Sequence, residues 1–246
     1  MRVSFLYIVV LLFSLSSCSL TEECFKKTGS FVEKRFQTEA FDKVYVSSGI
    51  GMVLQQTPNH EVVVVTGKNL IDNIKVEVRD GALYLEDLTN CNFVRDFGQV
   101  TVYVNAPEFL EIHSKTEQLI RSEGVISVPI FRLLSLEQGD EAGTGDFEIE
   151  VNVSQLVVET NNASAFNIKG NCSELLLNVY AGNGKFLGKQ LQAQTIKLFH
   201  RGSNDLELAP IQSLEGTITG TGNVILFNVP PVINISELYT GRLIIQ

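Results

Sequence analysis

The second half of this 246-residue chain repeats itself with a period near 19 to 20 residues. A turn with Gly, Asn or Ser precedes an apolar residue six times, at Phe147, Phe166, Phe186, Leu206, Val224 and Leu243, at intervals of 19, 20, 20, 18 and 19. Two residues further on the chain is apolar again at Ile149, Ile168, Leu208, Leu226 and Ile245, with Gly188 the exception. A second series runs between them through Leu156, Leu175, Ile196, Leu214 and Ile233, and Val158, Leu177, Leu198 and Ile235 follow it at plus two. A fixed period marks stacked repeats, and an i, i+2 apolar pair marks a strand with one face on a core. Two such pairs per period describe a coil of short strands and tight corners. The same strand of successive coils then pairs in parallel, and the apolar residues stack in columns.

The corners fit this reading. Gly143-Thr144-Gly145, Asn161-Asn162-Ala163, Gly182-Asn183-Gly184, Gly202-Ser203-Asn204 and Gly220-Thr221-Gly222 recur at the same phase. Gly and Asn tolerate the backbone conformations of sharp turns. The expectation is an all-β chain, a parallel β-helix (β-solenoid) with coils of about 19–20 residues in the C-terminal half. A β-sandwich of hairpins also spaces strands closely. It does not predict one corner type returning every period.

The N-terminal half is β-rich without a clear period. Val44 and Val46 alternate with polar neighbours, and further runs lie at 53–55, 61–65, 74–78, 83–85 and 100–104, bounded by Gly, Asn, Asp or Pro. Runs rich in Val and Ile between turn residues read as half-buried strands. Residues 114–122 are the one helical candidate and could equally be a loop.

Residues 5–13 are uninterrupted apolar residues after Arg2. Nine residues are too few to span a bilayer, which takes roughly 20, but suit the core of a signal peptide. Leu15-Ser16-Ser17-Cys18 follows and resembles the bacterial lipoprotein signal, in which the Cys becomes the acylated first residue. The expected organisation is a lipoprotein signal peptide at 1–17, a tether at 18–39 and one domain at 40–246. The acidic Glu22-Glu23 loosely resembles surface-export signals of Bacteroidetes lipoproteins, although a solvated tether explains it as well. The expected location is the cell envelope, lipid-anchored at the outer membrane on its periplasmic or surface face.

Lys and Arg number 19 against 28 Asp and Glu, a net charge of −9. Binding nucleic acid needs clustered cations, so that partner is excluded. With Cys18 acylated, Cys24, Cys91 and Cys172 remain, enough for at most one bridge and without the paired spacing of a zinc site.

The chain resembles the DUF2807 family, also called putative auto-transporter adhesin, head GIN domain. The residues that carry the resemblance are Phe41-Asp42-Lys43-Val44-Tyr45-Val46-Ser47-Ser48-Gly49-Ile50, then Val53-Leu54-Gln55-Gln56, and the Gly-rich corners. The resemblance implies a parallel β-helical envelope lipoprotein with an adhesion-like role. The family's corners are typically Gly-Ser-Gly-Ser; here Asn161-Asn162-Ala163-Ser164 and His200-Arg201-Gly202-Ser203 depart from that.

Signals of chemistry are sparse. His60, His113 and His200 lie in separate segments without zinc-hydrolase spacing and read as exposed corner or strand-end residues. Asp140, Glu141 and Asp146 could supply oxygen ligands to calcium, although a solvated acidic corner explains them too. Asp146, Glu148 and Glu150 would share one outer face, and paired carboxylates are the working groups of glycosidases. The Asn-x-Ser sequons at Asn152, Asn162, Asn171 and Asn234 suit coil corners better than glycosylation in a bacterial lipoprotein.

Two functional classes follow. One is a lipid-anchored envelope interaction module, adhesion-like and without catalytic activity, with a glycan or protein ligand. The other is a β-helical polysaccharide-active enzyme. The absence of Trp weighs against a sugar-processing cleft. No cofactor or metal is expected. The last repeat, with Leu243 and Ile245 in the inward pattern, has no polar cap, so a covering segment, a partner or a second copy is expected there.

Overall fold

The structure, a computed structural model, describes residues 25–89, 96, 98–137 and 143–246. Cys18, Cys24, Cys91, Asp140, Glu141 and the leader at 1–17 lie outside the described residues.

The strands of the first half are β1 (Phe31–Gln37), β2 (Lys43–Val46), β3 (Ile50–Gln56), β4 (Glu61–Gly67), β5 (Ile74–Arg79), β6 (Ala82–Asp87), β7 (Val100–Ala106), β8 (Glu111–Ser114) and β9 (Ile120–Ile126). Those of the second are β10 (Ile130–Ser135), β11 (Phe147–Thr160), β12 (Ala165–Val179), β13 (Lys185–Leu187), β14 (Leu191–His200), β15 (Leu206–Leu208), β16 (Pro210–Ile218), β17 (Val224–Leu226), β18 (Val232–Glu237) and β19 (Leu243–Ile245). A single short 3-10 turn, Ile71–Asn73, interrupts them among the described elements.

These strands build two walls around one apolar core. The first wall runs β5, β6, β2, β8, β10, then the second halves of β11 and β12, then β14, β16 and β18. The second runs β1, β4, β7, β3, β9, then the first halves of β11 and β12, then β13, β15, β17 and β19. From β2 and β3 onward every coil-to-coil pairing is parallel, so the fold is a β-solenoid and not a sandwich of hairpins.

The register matches the sequence period. Phe147, Phe166, Phe186, Leu206, Val224 and Leu243 are consecutive partners in the second wall. Leu156, Leu175, Ile196, Leu214 and Ile233 are consecutive partners in the first. The first four residues of the Phe147 series are all buried, as one inward column requires. The column continues backward through Ile120 and Met52, in strands whose spacing carries no period in the sequence. The helical candidate at 114–122 is the end of β8, a connecting loop and the start of β9.

The N-terminal coils do not stack in chain order. β6 and β7 lie outside β2 and β3, while β8 and β9 lie on their inner side. The first coil of the sequence is therefore the second coil in space. Beyond it both walls end in antiparallel strands: β5 on β6 in the first wall, β4 on β7 and β1 on β4 in the second. Antiparallel strands close the N-terminal end of the stack. This corrects part of the tether expected at 18–39, because residues 31–37 are β1 and pair along their whole length with the Val-rich β4. The sequence of β1 conceals this. Its charged Glu33, Lys34 and Arg35 leave only Val32 and Phe36 half-buried, and the valines of β4 complete the pattern.

One corner is lined from inside by small polar residues. The Ser135 hydroxyl donates to the Gly143 carbonyl at 2.7 Å, and that of Ser164 donates to the same carbonyl at 2.9 Å. Asn162 Oδ1 accepts from the Thr160 hydroxyl at 3.2 Å and the Ser164 amide at 3.3 Å. Asn162 is buried, which removes it as a glycosylation acceptor; its side chain replaces the Gly-Ser turn of the family pattern with its own hydrogen bonds. One continuous core joins both walls within the described residues, so residues 25–246 hold the whole of that core and are expected to fold without the segment before them.

Candidate binding surface

The carboxylates singled out in the sequence are placed by the coil geometry. Asp146 precedes β11, and its Oδ1 accepts the Ala165 amide of the next coil at 3.0 Å. Asp205 and Asn223 repeat the arrangement: Asp205 accepts from the Asn223 amide at 2.7 Å, and Asn223 accepts from the Arg242 amide at 3.0 Å. Asp146 is thus the first of a recurring coil-to-coil brace. Among the described residues no group of three or more His, Cys, Asp or Glu could hold a metal.

Glu148 and Glu150 lie on one outer face, as alternation requires, in a shallow groove with Arg121, Ser122, Asn167 and Lys169. Lys169 from the next coil pairs with Glu150 at 3.0 Å. Such pairs recur along both walls. Arg132 lies 3.4 Å from Glu111 and 3.2 Å from Glu159, and Lys197 lies 2.6 Å from Glu174. Surface pairs of this kind contribute about 0–1 kcal/mol each. They set opposite charges against each other between neighbouring coils and leave Glu111, Glu150, Glu159 and Glu174 partnered within the wall.

The three histidines lie apart, and none shares a site with another. His60 Nε2 is 3.0 Å from the Phe41 carbonyl, and its ring meets Phe41 edge-on. His113 pairs with Glu111 on the outer face of the first wall. His200 corrects the expectation of an exposed corner, because it is fully buried at the end of β14. Its register partners are Val179 and Ile218, so the column makes position 200 internal although the sequence there is His-Arg-Gly-Ser. Nδ1 accepts from the Gly202 amide at 3.3 Å, which puts the proton of the neutral ring on Nε2. Burial lowers the His200 pKa from its ordinary 6.5, and the backbone of Gly222 and Asn204 opposes this more weakly.

A stability profile follows from that shift. A group with a depressed folded pKa contributes stability above its unfolded value and loses it as pH falls toward the folded one. The domain is expected to lose stability as pH falls below 6.5. His200→Leu should flatten that part of the profile. Glu174, held low by Lys197 and Gln155, and Glu77, held low by Lys75, act only below the ordinary carboxylate value of 4.5. Urea melts of both proteins across the two windows separate the contributions. Parallel profiles between pH 6.5 and about 5 would contradict the assignment.

Cys172 is buried between Val153 and Ala193 in neighbouring coils, and burial pushes its thiol pKa up to about 12. It packs as a small apolar residue and lacks the thiolate that reactivity needs.

An aromatic row that strand spacing alone does not reveal lies in the N-terminal half of the first wall. Tyr84, Tyr45 and His113 are partners on β6, β2 and β8, and their rings form one outward stack with centroid spacings of 4.8 and 4.1 Å. The Arg79 guanidinium covers the far side of Tyr84 at 4.0 Å. The row lines a groove of about 370 Å³ with Ser47, Asp87 and Lys115 at its rim. Ring faces are occupied by their neighbours, so the groove offers ring edges, phenol hydroxyls and rim charges. The signal was present as an aromatic or His between inward residues, in Val44-Tyr45-Val46, Leu83-Tyr84-Leu85 and Ile112-His113-Ser114. Only the out-of-order stacking brings the three together.

The C-terminal end is the other distinctive surface. Seven of the fifteen exposed large apolar residues, among those described, fall between Val229 and Ile245. Among the described residues no helix is long and apolar enough to cross a membrane.

A parallel β-solenoid with two walls around one core, coil-to-coil ion pairs on its outer faces and an aromatic groove defines a class of β-helical repeat proteins. The chain belongs to the family described as putative auto-transporter adhesin, head GIN domain, whose sequence pattern matches residues 40–230. Solved structures with the same fold include a putative adhesin from Bacteroides fragilis, with a TM-score of 0.79 and 16% identity over 90% of this chain and 100% of the other. A putative adhesin from Parabacteroides merdae has a TM-score of 0.63 and 14% identity over 89% and 98% of the two chains. A protein from Parabacteroides distasonis described as a putative lipid binding protein has a TM-score of 0.64 and 15% identity over 89% and 99%. At these identities the likeness is one of fold. No curated protein matches the chain in sequence.

Proposed function

We propose that the chain is a lipid-anchored interaction module of the cell envelope, without catalytic activity, that binds a glycan or protein ligand through the outer face of its first wall. The observation that carries this reading is the groove of Tyr84, Tyr45 and His113, set into a wall that further along carries ion pairs between coils, Arg132 with Glu159 and Lys197 with Glu174. Family membership supports an adhesion-like role. The anchor in this reading is Cys18, acylated after cleavage behind Ser17, and more than one acyl chain makes such anchoring stable. The outer membrane is the site proposed for it.

The enzyme alternative rests on Glu148 and Glu150, about 6.6 Å apart along an extended strand by backbone rise. That spacing alone is compatible with carboxylate chemistry. Glu150 is paired with Lys169, and an outer wall presents both carboxylates from the same side of any bound chain. Glycoside hydrolysis needs one on each side of the scissile bond.

Two measurements test the proposal. In the native host, Cys18→Ala should leave an unprocessed or soluble chain without acyl mass, read by detergent partitioning and intact mass; a mature chain that starts elsewhere without acyl mass would refute the anchor. The immobilised domain should retain purified envelope polysaccharide or protein, and Tyr45→Ser with Tyr84→Ser should lower retention at unchanged folding. Release of new reducing ends, lost in Glu148→Gln, would replace binding by hydrolysis.

A further inference from the structure

The first and last coils end differently. At the N-terminal end antiparallel strands cover both walls. At the C-terminal end β18 pairs only with β16 and β19 only with β17, so each has one edge without a partner among the described residues. Residues that are internal in every earlier coil emerge here. Leu214 is 0% exposed and its column successor Ile233 is 38%; Leu226 is 0% and its successor Ile245 is 57%. Val229, Val232, Leu238, Tyr239 and Ile244 widen the apolar surface.

We infer that this end is a docking surface for a second copy of the same chain, joined tip to tip about a two-fold axis. Three features select that occupant. First, the end presents two strand edges at once, one per wall. A lone peptide can extend only one, whereas another solenoid end carries two at the same separation. Rotation by a two-fold reverses strand direction, so both contacts form as antiparallel strand addition. Second, β18 and β19 contain neither Pro nor Lys, the usual guards of an open edge, and their register shows no bulge. Third, residues 229–246 hold only Glu237 and Arg242 as charged side chains, paired with each other at 3.5 Å. On a chain of net charge −9 this neutral apolar end is where two identical acidic molecules meet with least repulsion. β1, the described strand nearest in sequence to Cys18, is committed to β4 at the opposite end of the second wall. The surface is separate from the aromatic groove, so the inference stands or falls independently of the ligand proposed there.

The test is sedimentation equilibrium of residues 25–246 from micromolar to near-millimolar concentration, with hydrogen exchange followed at both limits. A reversible dimer is expected, with amides of β18 and β19 gaining protection as concentration rises. Ile233→Lys combined with Ile245→Lys places like charges across the two-fold and should weaken the dimer about tenfold or more. Val125→Lys, exposed on β9 far from the end, should leave it unchanged. Circular dichroism checks that the variants fold; should the double variant not fold, the concentration-dependent protection of the unsubstituted domain decides. A monomer at every concentration, a dimer indifferent to the paired lysines, or protection gained elsewhere overturns the inference.

Discussion

Phe166→Ala is expected to destabilise the domain by about 3–5 kcal/mol, the range for truncating a buried Phe. Phe166 is 1% exposed in the middle of the second-wall column. Its ring stacks on Phe147 at 4.6 Å and 9°, and Phe186 is its partner on the other side. The gap should not close. Hydrogen bonding holds adjacent strands about 4.8 Å apart, so the walls cannot collapse inward around one missing ring. The upper half of the range is therefore expected. Phe166→Asp buries an uncompensated carboxylate in the same place and should prevent folding. Urea unfolding measures the first, read as a fall in midpoint with the slope unchanged. A neutral Phe166→Ala would mean that the column is not continuous.

Gly170→Ala should be nearly as damaging, although it adds only a methyl group. Gly170 has φ of +109°, and a Cβ there would lie 2.0 Å from the Val151 carbonyl oxygen of the preceding coil. Backbone strain of about 1–3 kcal/mol and overpacking of about 1–3 kcal/mol act together, because the obstacle is a hydrogen-bonded backbone that cannot rotate away. Gly81 supplies the control. Its φ is +74°, yet a Cβ there meets nothing within 4 Å. Gly81→Ala should cost only the conformational part, about 1–2 kcal/mol. The same denaturant melts compare the pair. Equal costs would show that the close approach of successive coils at Gly170 contributes nothing.

The candidate surfaces were legible to different degrees. The apolar C-terminal surface could be anticipated in part, since Leu243 and Ile245 continue the inward pattern in the last repeat. The aromatic groove could not. Tyr45, Tyr84 and His113 are separated by 39 and 29 residues in sequence, and nothing in their segments states that β2 lies between β6 and β8. His200 shows the same limit at one residue. Beside Arg201 and Gly202 it reads as part of an exposed turn, and only the alignment with Val179 and Ile218 makes it internal.

From Phe147 to Ile245 the sequence by itself determined the strands, their register and the facing of the apolar pairs, while the inward face of His200 came from the column. Each coil there repeats the previous one, and parallel stacking of like on like leaves a single alignment that sets the apolar pairs in line from coil to coil. Before Phe147 the tertiary structure decided. The strands are individually recognisable from alternating Val, Leu and Ile, but alternation specifies a face and not a neighbour. β2 and β3 could pair with any strand of matching pattern. The burial of their columns on both sides, by β6 and β7 outside and β8 and β9 inside, selects one order, and the antiparallel β1, β4 and β5 then close the end that this order leaves open.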